Sequence, residues 1–336
     1  MTATVTVFDP LLEGEAAEAM LAIRRDFPGY GMYSNEGFDT GYAPEIPQRF
    51  CAIRAFLKAS SEAEDAEPVK ALAARTNYFR ETYAYGDEIK APGIEGFFHH
   101  QGLVDAAAEL YGNPVVVPAI AYANILVPGQ VLAMHTDVGE FRGANRKVVP
   151  QWLIVVMHHS GLFEEFRLRI ATMISYFGDN EGGALRYLPD GIEGEAAHFQ
   201  TRHNTGLLLD TDSVFHGIER VRGGDEDAVK RLRPGMRLMP RPDKRWEVVD
   251  GLDVVAAYPE EEIRFSISWK AYCFASPEEH DRWRLHEDDL AIDTILDTLE
   301  ADLRDRGGLD GPRPAPAEFA TLLMDAYIRF PATNVA

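Results

Sequence analysis

The chain has 336 residues, and its 54 acidic residues outnumber its 33 basic residues, which gives a formal net charge of −21 at pH 7. Such a charge argues against nucleic acid or an anionic membrane as the main partner, because both attract basic surfaces. Hydrophobic residues make up 46% of the chain and charged residues 26%, which excludes disordered and collagen-like proteins. The N-terminus lacks the pattern of a signal peptide, and two cysteines are too few for a disulfide framework. These features predict a soluble cytoplasmic protein.

The first part of the chain, residues 1–113, predicts mainly helix. Apolar side chains recur at helical spacing in four segments, which are residues 14–27, 49–60, 69–85 and 97–111. The acidic run at residues 61–67 predicts a solvated linker between two of them.

Beyond Pro114 the pattern changes to short strands. Alternating or β-branched segments predict strands at residues 115–120, 122–127, 131–135, 168–177, 184–188, 205–210, 213–215 and 263–274. A glycine-rich hairpin is expected at residues 178–183, and residues 151–166 and the tail from residue 276 to 336 predict helix. Several short strands at regular spacing favour a sandwich or barrel over residues 114–275.

The segment that ends in His135-Thr136-Asp137 is the most informative for function. Alternate residues of a strand point to the same face, so His135 and Asp137 can offer an imidazole and a carboxylate to one point. His216, at the end of a later apolar segment, supplies a third ligand. Two histidines and one carboxylate form the facial triad of non-haem Fe(II) oxygenases.

Four segments then occur in an order typical of one protein family. They are Pro128-Gly-Gln-Val-Leu-Ala-Met-His-Thr-Asp137, Glu181-Gly-Gly-Ala-Leu-Arg-Tyr187, Val214-Phe-His-Gly217 and Arg264-Phe-Ser-Ile-Ser268. With them the sequence resembles the Fe(II)/2-oxoglutarate-dependent dioxygenases, whose core is a double-stranded β-helix, or jelly roll. The resemblance implies an α+β fold and one oxygenase domain over residues 1–336, with N-terminal and C-terminal helices packed around the core.

The resemblance also implies which residues bind the co-substrate. Arg264, assisted by Ser266 on the same strand face, would bind the distal carboxylate of 2-oxoglutarate, and Tyr122 and Asn124 could touch it. The family's arginine usually follows the distal histidine more closely than Arg264 follows His216. Arg220 and Arg222 therefore remain rival anchors.

The stretch between that histidine and Arg264, residues 223–262, looks like an inserted loop or hairpin. Because it is rich in charge, proline and glycine, we expect a mobile, positively charged rim that shapes the substrate entrance. The alternative is a solvated surface hairpin that does not contact the ligand.

Taken together, these patterns predict hydroxylation of an unactivated C–H bond of a small molecule, with Fe(II), O₂ and 2-oxoglutarate consumed to succinate and CO₂. Two alternatives stay open. One is a cupin-like Zn or Mn hydrolase or isomerase, which would not need Arg264, and the other is a non-catalytic jelly-roll binding protein.

Overall fold

The computed structural model describes residues 3–33, 42–43, 76–329 and 331. The α-helices in these residues are α1 (Gly14–Asp26), α2 (Glu95–Phe98), α3 (Gln101–Tyr111), α4 (Gln151–Ser160), α5 (Pro277–Arg284), α6 (Ile292–Asp305) and α7 (Pro316–Tyr327). The strands are β1 (Thr6–Phe8), β2 (Tyr30–Met32), β3 (Phe79–Tyr85), β4 (Glu88–Ile89), β5 (Val115–Leu126), β6 (Leu132–His135), β7 (Glu140–Phe141), β8 (Arg167–Tyr176), β9 (Leu185–Tyr187), β10 (Ala197–Phe199), β11 (Thr205–Leu209), β12 (His216–Ile218), β13 (Arg237–Arg241), β14 (Arg245–Asp250), β15 (Asp253–Pro259) and β16 (Arg264–Phe274).

The strands form two antiparallel sheets. The large sheet has the order β1-β11-β8-β16-β5-β3-β2-β13-β14-β15, with β4 and β7 paired at its sides. The small sheet has the order β10-β9-β12-β6. From β5 onward the chain passes repeatedly from one sheet to the other, so that β5, β8, β11 and β16 lie in the large sheet while β6, β9, β10 and β12 lie in the small one. Eight strands shared in this way are consistent with a jelly-roll core.

Two apolar clusters account for most of the buried core. The larger cluster joins the large sheet to the N-terminal helices, and its members include Phe79, Leu103, Ile125 and Trp269. The second cluster packs α4 against the C-terminal helices through side chains such as Trp152, Leu299 and Phe319. Apolar side chains at helical spacing therefore put one face of each of these helices into a core. None of the described helices is long and apolar enough to cross a membrane.

Most elements lie where the sequence places them, but several predictions about secondary structure are wrong. Residues 79–85 form β3 instead of the end of a helix. Residues 178–183 do not close a hairpin, because β8 and β9 belong to different sheets. Residues 213–215 form a turn, and the strand there begins at His216. The helix expected at 49–60 and the acidic linker at 61–67 lie outside the described residues.

The insertion at residues 223–262 is not a rim loop. After a short 3₁₀ helix it forms β13, β14 and β15, and β13 extends the large sheet by pairing with β2. Its side chains Leu238, Trp246 and Tyr258 are buried in the larger apolar cluster. Several of its cations are also neutralised locally, as in the pairs Arg231–Asp225 and Arg241–Glu247. The insertion therefore forms a three-stranded meander with several paired charges, and not the positively charged rim that was expected.

Candidate metal centre

Two strands of the small sheet bring the predicted ligands together. His135 ends β6 and lies directly opposite His216, the first residue of β12, with ring centroids 4.5 Å apart. Asp137 follows two residues after His135, and its backbone N–H donates to the carbonyl of Thr211 at 2.8 Å. This bond ties the segment after β6 to the chain that leads into β12. The three ligand side chains therefore come from two neighbouring stretches of backbone.

The donor atoms face one another. Asp137 Oδ1 lies 3.6 Å from His135 Nε2 and 3.8 Å from His216 Nε2. The ligand atoms of all three residues lie within 4.8 Å of one another. Neighbouring ligand atoms about 2.0–2.2 Å from a central ion are about 3 Å apart, so these donors lie somewhat wider than a bound metal would hold them. The donor set fits a metal ion held on one face, with the opposite face free for other ligands.

Backbone carbonyls fix the orientation of both imidazoles. His135 Nδ1 lies 2.7 Å from the Ala133 carbonyl, and His216 Nδ1 lies 2.9 Å from the Val214 carbonyl. A carbonyl oxygen only accepts, so each Nδ1 donates and each Nε2 keeps its lone pair toward the site. Burial, and next the neighbouring His135, lower the pKa of His216 to about 4. His216 is therefore neutral near pH 7, as a metal ligand must be.

A buried lysine holds the carboxylate of the triad. Lys270 Nζ donates to Asp137 Oδ2 at 2.8 Å and to Thr211 Oγ1 at 3.2 Å. Burial alone would raise the pKa of Asp137, but the Lys270 ammonium, followed by the two imidazoles, holds it well below its usual range. Asp137 is therefore ionised, with Oδ2 engaged and Oδ1 turned toward the histidines.

Arg264 is a buried cation with an unsatisfied donor. It is 1% exposed, and its Nε donates to the carbonyl of Gly183 at 2.7 Å. Its Nη2 is buried without a hydrogen-bond partner, and no carboxylate pairs with it among the described residues. A buried guanidinium without a counter-charge is costly unless an anion binds to it. Gly183 precedes β9, which pairs with β12, so Arg264 reaches the sheet that carries His216.

A second buried donor lies beside Arg264. The Tyr176 ring is 5.2 Å from the guanidinium carbon, and its buried hydroxyl interacts with that guanidinium. Tyr176 lies directly opposite Ser266 on the neighbouring strand, so both face the same side of the sheet. Arg264 Nη1 donates to Ser266 Oγ at 3.4 Å. These three side chains form a polar recess that suits a carboxylate.

The other predicted site residues take different positions. Asn124 Nδ2 donates to Ser268 Oγ at 3.0 Å, and its Oδ1 is buried without a partner. Tyr122 is buried beneath the guanidinium of Arg80, which lies 3.7 Å from its ring centroid. The rival anchors are engaged elsewhere, because Arg220 donates to the carbonyl of Gly129 and Arg222 pairs with Glu226.

The sequence interpretation missed Lys270, Tyr176 and Arg80. Lys270 lies six residues after Arg264 on one strand, so strand alternation places both on the same face and could have identified it. Tyr176 and Arg80 reach that face through pairing with other strands, which the sequence does not specify. The protein therefore combines helices with a large antiparallel sheet, consistent with a jelly-roll core, and its two histidines and one carboxylate form a candidate metal site.

Solved structures similar to this chain include several non-haem oxygenases. A 2-oxoglutarate-Fe(II) oxygenase family oxidoreductase from Burkholderia pseudomallei is 8% identical, with 80% of this chain and 84% of that chain covered and a TM-score of 0.42. The non-haem α-ketoglutarate-dependent epimerase SnoN of nogalamycin biosynthesis is 9% identical, with 81% and 77% covered and a TM-score of 0.44. HygX from Streptomyces hygroscopicus, solved with nickel, 2-oxoglutarate and hygromycin B bound, is 10% identical, with 81% and 84% covered and a TM-score of 0.40.

Neither a protein-family model nor a curated protein matches the sequence. Because the structural likenesses have TM-scores below 0.5, the function is inferred from the site residues themselves.

Proposed function

We propose that the protein is a non-haem Fe(II)- and 2-oxoglutarate-dependent oxygenase that hydroxylates an unactivated C–H bond of a small molecule. The observation that carries the proposal is the convergence of His135, Asp137 and His216 in one fold with the uncompensated guanidinium of Arg264. The triad accounts for a metal ion, and Arg264 accounts for an anionic co-substrate. In this proposal residues 1–336 act as one domain, with the N-terminal and C-terminal helices packed around the jelly-roll core.

The residues divide into two binding groups. His135 Nε2, Asp137 Oδ1 and His216 Nε2 would hold Fe(II), since their partners already fix the tautomers and the charge that iron requires. Arg264 Nη2 would bind the distal carboxylate of 2-oxoglutarate, with the hydroxyls of Ser266 and Tyr176 beside it. An arginine suits this role because its planar guanidinium can donate two parallel hydrogen bonds to a carboxylate.

Iron held by such a triad supplies O₂ activation coupled to the conversion of 2-oxoglutarate to succinate and CO₂. The protein's own part is to orient the reactants and exclude water. Lys270 keeps Asp137 charged and fixed, while burial of Arg264 makes its pairing with an anion stronger than it would be in water. Tyr122 and Asn124 line the neighbouring strand and would contact the co-substrate or substrate.

The cupin-like alternative has less support. A Zn or Mn hydrolase could use the same three ligands, but it gives no reason for a buried arginine with a free donor. A non-catalytic binding protein would not require two imidazoles fixed in the tautomer that ligates metal.

A spectroscopic titration tests the proposal. Anaerobic addition of Fe(II) and then 2-oxoglutarate to the full-length protein should produce a weak visible charge-transfer band. The band should be absent in His216→Ala and should require more 2-oxoglutarate in Arg264→Ala. Under O₂, candidate small molecules would then be screened by succinate formation. Zinc-dependent turnover without 2-oxoglutarate, and no band with iron, would support the cupin-like alternative instead.

A further inference from the structure

An open cavity of about 280 Å³ lies beside the face of the large sheet that carries the site. It is lined by residues 31–33 at the end of β2, residues 80–82 of β3, and Arg146. None of these residues belongs to the metal triad or to the recess around Arg264. The side chains that line the cavity are therefore distinct from those of the metal triad and of the recess around Arg264.

Two arginines of this cavity have no carboxylate partner in the described part of the chain. Arg80 forms no ion pair there, and the hydrogen bond of Arg146 is to the hydroxyl of Tyr33, at 3.4 Å. Two carboxylates lie near them. Glu81 lines the cavity and accepts from the backbone N–H of Gly31 at 3.3 Å, and Glu140 accepts from Tyr272 at 2.7 Å and, against the effect of burial, helps to raise the pKa of Arg146. Neither carboxylate forms an ion pair with Arg80 or Arg146 among the described residues, so guanidinium N–H groups of both remain available to an outside anion.

Strand pairing connects the cavity to the site. Arg80 on β3 lies opposite Asn124 on β5, and Asn124 lies opposite Ser266 on β16, so the three side chains share one face. Neighbouring strands are about 4.8 Å apart, which puts Arg80 about 10 Å across the sheet from Ser266. A small molecule can span that distance, but the carboxylate bound by Arg264 cannot also reach Arg80.

Aromatic rings border the two guanidinium groups. Arg80 lies 5.0 Å from the ring centroid of Tyr33 and 3.7 Å from that of Tyr122. Tyr33 is itself stacked on Tyr78, with centroids 5.3 Å apart and planes at 3°. Stacking fixes the position of the Arg80 guanidinium, because both rings attract the cation. An anion entering the cavity would therefore meet a preorganised donor.

We propose that this cavity binds an anionic group of the substrate, a carboxylate or a phosphate, through Arg80 and Arg146. This inference rests on the proposed function, because the bound molecule is taken to be the substrate of the oxygenase. It adds the chemical class of that substrate, which carries a carboxylate or a phosphate. The substrate's anionic end would be held at the cavity while its reacting carbon lies toward the triad.

Isothermal titration calorimetry on the full-length protein, without iron or 2-oxoglutarate, tests the site directly. The probes are benzoate and phenyl phosphate, with benzamide as the matched uncharged probe. We expect at least one anion to bind about tenfold or more tightly than benzamide, because charge-assisted pairs contribute on that scale. Arg80→Gln and Arg146→Gln should each weaken that anion about tenfold, and Arg80→Lys should restore part of the affinity.

Arg282→Gln is the control, because Arg282 is exposed on α5 and belongs neither to the cavity lining nor to the recess around Arg264. Thermal unfolding of each variant verifies that it folds. Equal binding of benzoate, phenyl phosphate and benzamide, no binding of either anion, or unchanged binding in both glutamine variants would overturn the proposal. So would loss of anion binding in Arg264→Ala alone, since the anion would then occupy the co-substrate recess. The assay contains no iron, so failure of the oxygenase proposal leaves its outcome unaffected.

Discussion

Lys270 Nζ lies 2.8 Å from Asp137 Oδ2, and this contact joins the large sheet to the metal-binding segment of the small sheet. The lysine is 8% exposed and also lies 3.8 Å from Asp212. Burial would lower the pKa of Lys270, but the Asp137 carboxylate raises it, so the lysine remains charged. Lys270 therefore balances the charge of Asp137 through Oδ2 and leaves Oδ1 for the metal.

Replacing Lys270 by methionine should weaken Fe(II) binding about tenfold to a hundredfold, because groups that position a ligand have effects of this size. Calorimetric titration with Fe(II) under anaerobic conditions measures it. Lys270→Arg keeps the charge and should lose less affinity. If Lys270→Met bound iron as tightly as the parent protein, the lysine would have no role in positioning Asp137.

Substitutions of His216 and Asp137 should differ in their effect on folding. His216→Ala and Asp137→Ala should both abolish iron binding, since each removes one of three ligands. Asp137→Ala also leaves Lys270 buried and without its closest counter-charge, which costs about 3–5 kcal/mol. Chemical denaturation of the metal-free proteins should therefore show a larger loss for Asp137→Ala. Equal losses would mean that the Lys270–Asp137 pair adds no stability.

Arg264→Ala should raise the dissociation constant of 2-oxoglutarate by about one to three decades, because truncation leaves the co-substrate carboxylate without its charged partner. Iron affinity should remain unchanged. Arg222→Ala is the matched control, since Arg222 is exposed and pairs with Glu226. The reverse pattern, with loss in Arg222→Ala and none in Arg264→Ala, would transfer the anchor to the rival.

The clustering of His135, Asp137 and His216 was predictable from sequence because its signal is local. His135 is the last residue of β6 and Asp137 follows two residues later, and His216 ends a recognisable apolar segment. Arg264 and Ser266 follow the same alternation. Each of these predictions needs only the local spacing of residues along the chain and not the pairing of strands.

The wrong predictions concern segments whose structure depends on pairing with other strands of the large sheet. Residues 79–85 have apolar spacing compatible with a helix, but β3 gains its backbone partners from β2 and β5. The insertion is polar in composition, yet Trp246 and Tyr258 are buried because β13 pairs with β2. Tertiary pairing overrides local preference in both cases.

Asp212 should make stability depend on pH. Burial, opposed by Lys270, raises the pKa of Asp212 from 3.8 to about 7. The unfolded chain ionises near pH 4 while the folded protein keeps the proton, so stability is lost as pH rises from about 4 to about 7. Asp212→Asn should remove that loss. The free energy of unfolding at several pH values measures this loss, with the exposed Asp227→Asn as the control. Parallel pH profiles for the parent protein and Asp212→Asn would contradict the assignment.

The insertion should act through its packing and not as a mobile gate. Trp246 is 1% exposed, and its ring lies 6.0 Å from that of Tyr30, which precedes the cavity residues on β2. Trp246→Ala should lower the free energy of unfolding by about 3–5 kcal/mol, because it opens a void in the larger apolar cluster. Chemical denaturation measures this loss. The exposed Arg245→Ala on the same strand should change stability little.

The same substitution separates the cavity from the co-substrate recess. Because β13 pairs with β2, loosening the insertion should weaken binding of the anionic probe at the cavity. The affinity for 2-oxoglutarate at Arg264 should stay within about twofold, which is a change well below 1.4 kcal/mol. Calorimetry with both ligands on Trp246→Ala, below its unfolding temperature, gives the comparison. Unchanged probe binding in a destabilised variant would show that the insertion supports the fold without shaping the cavity.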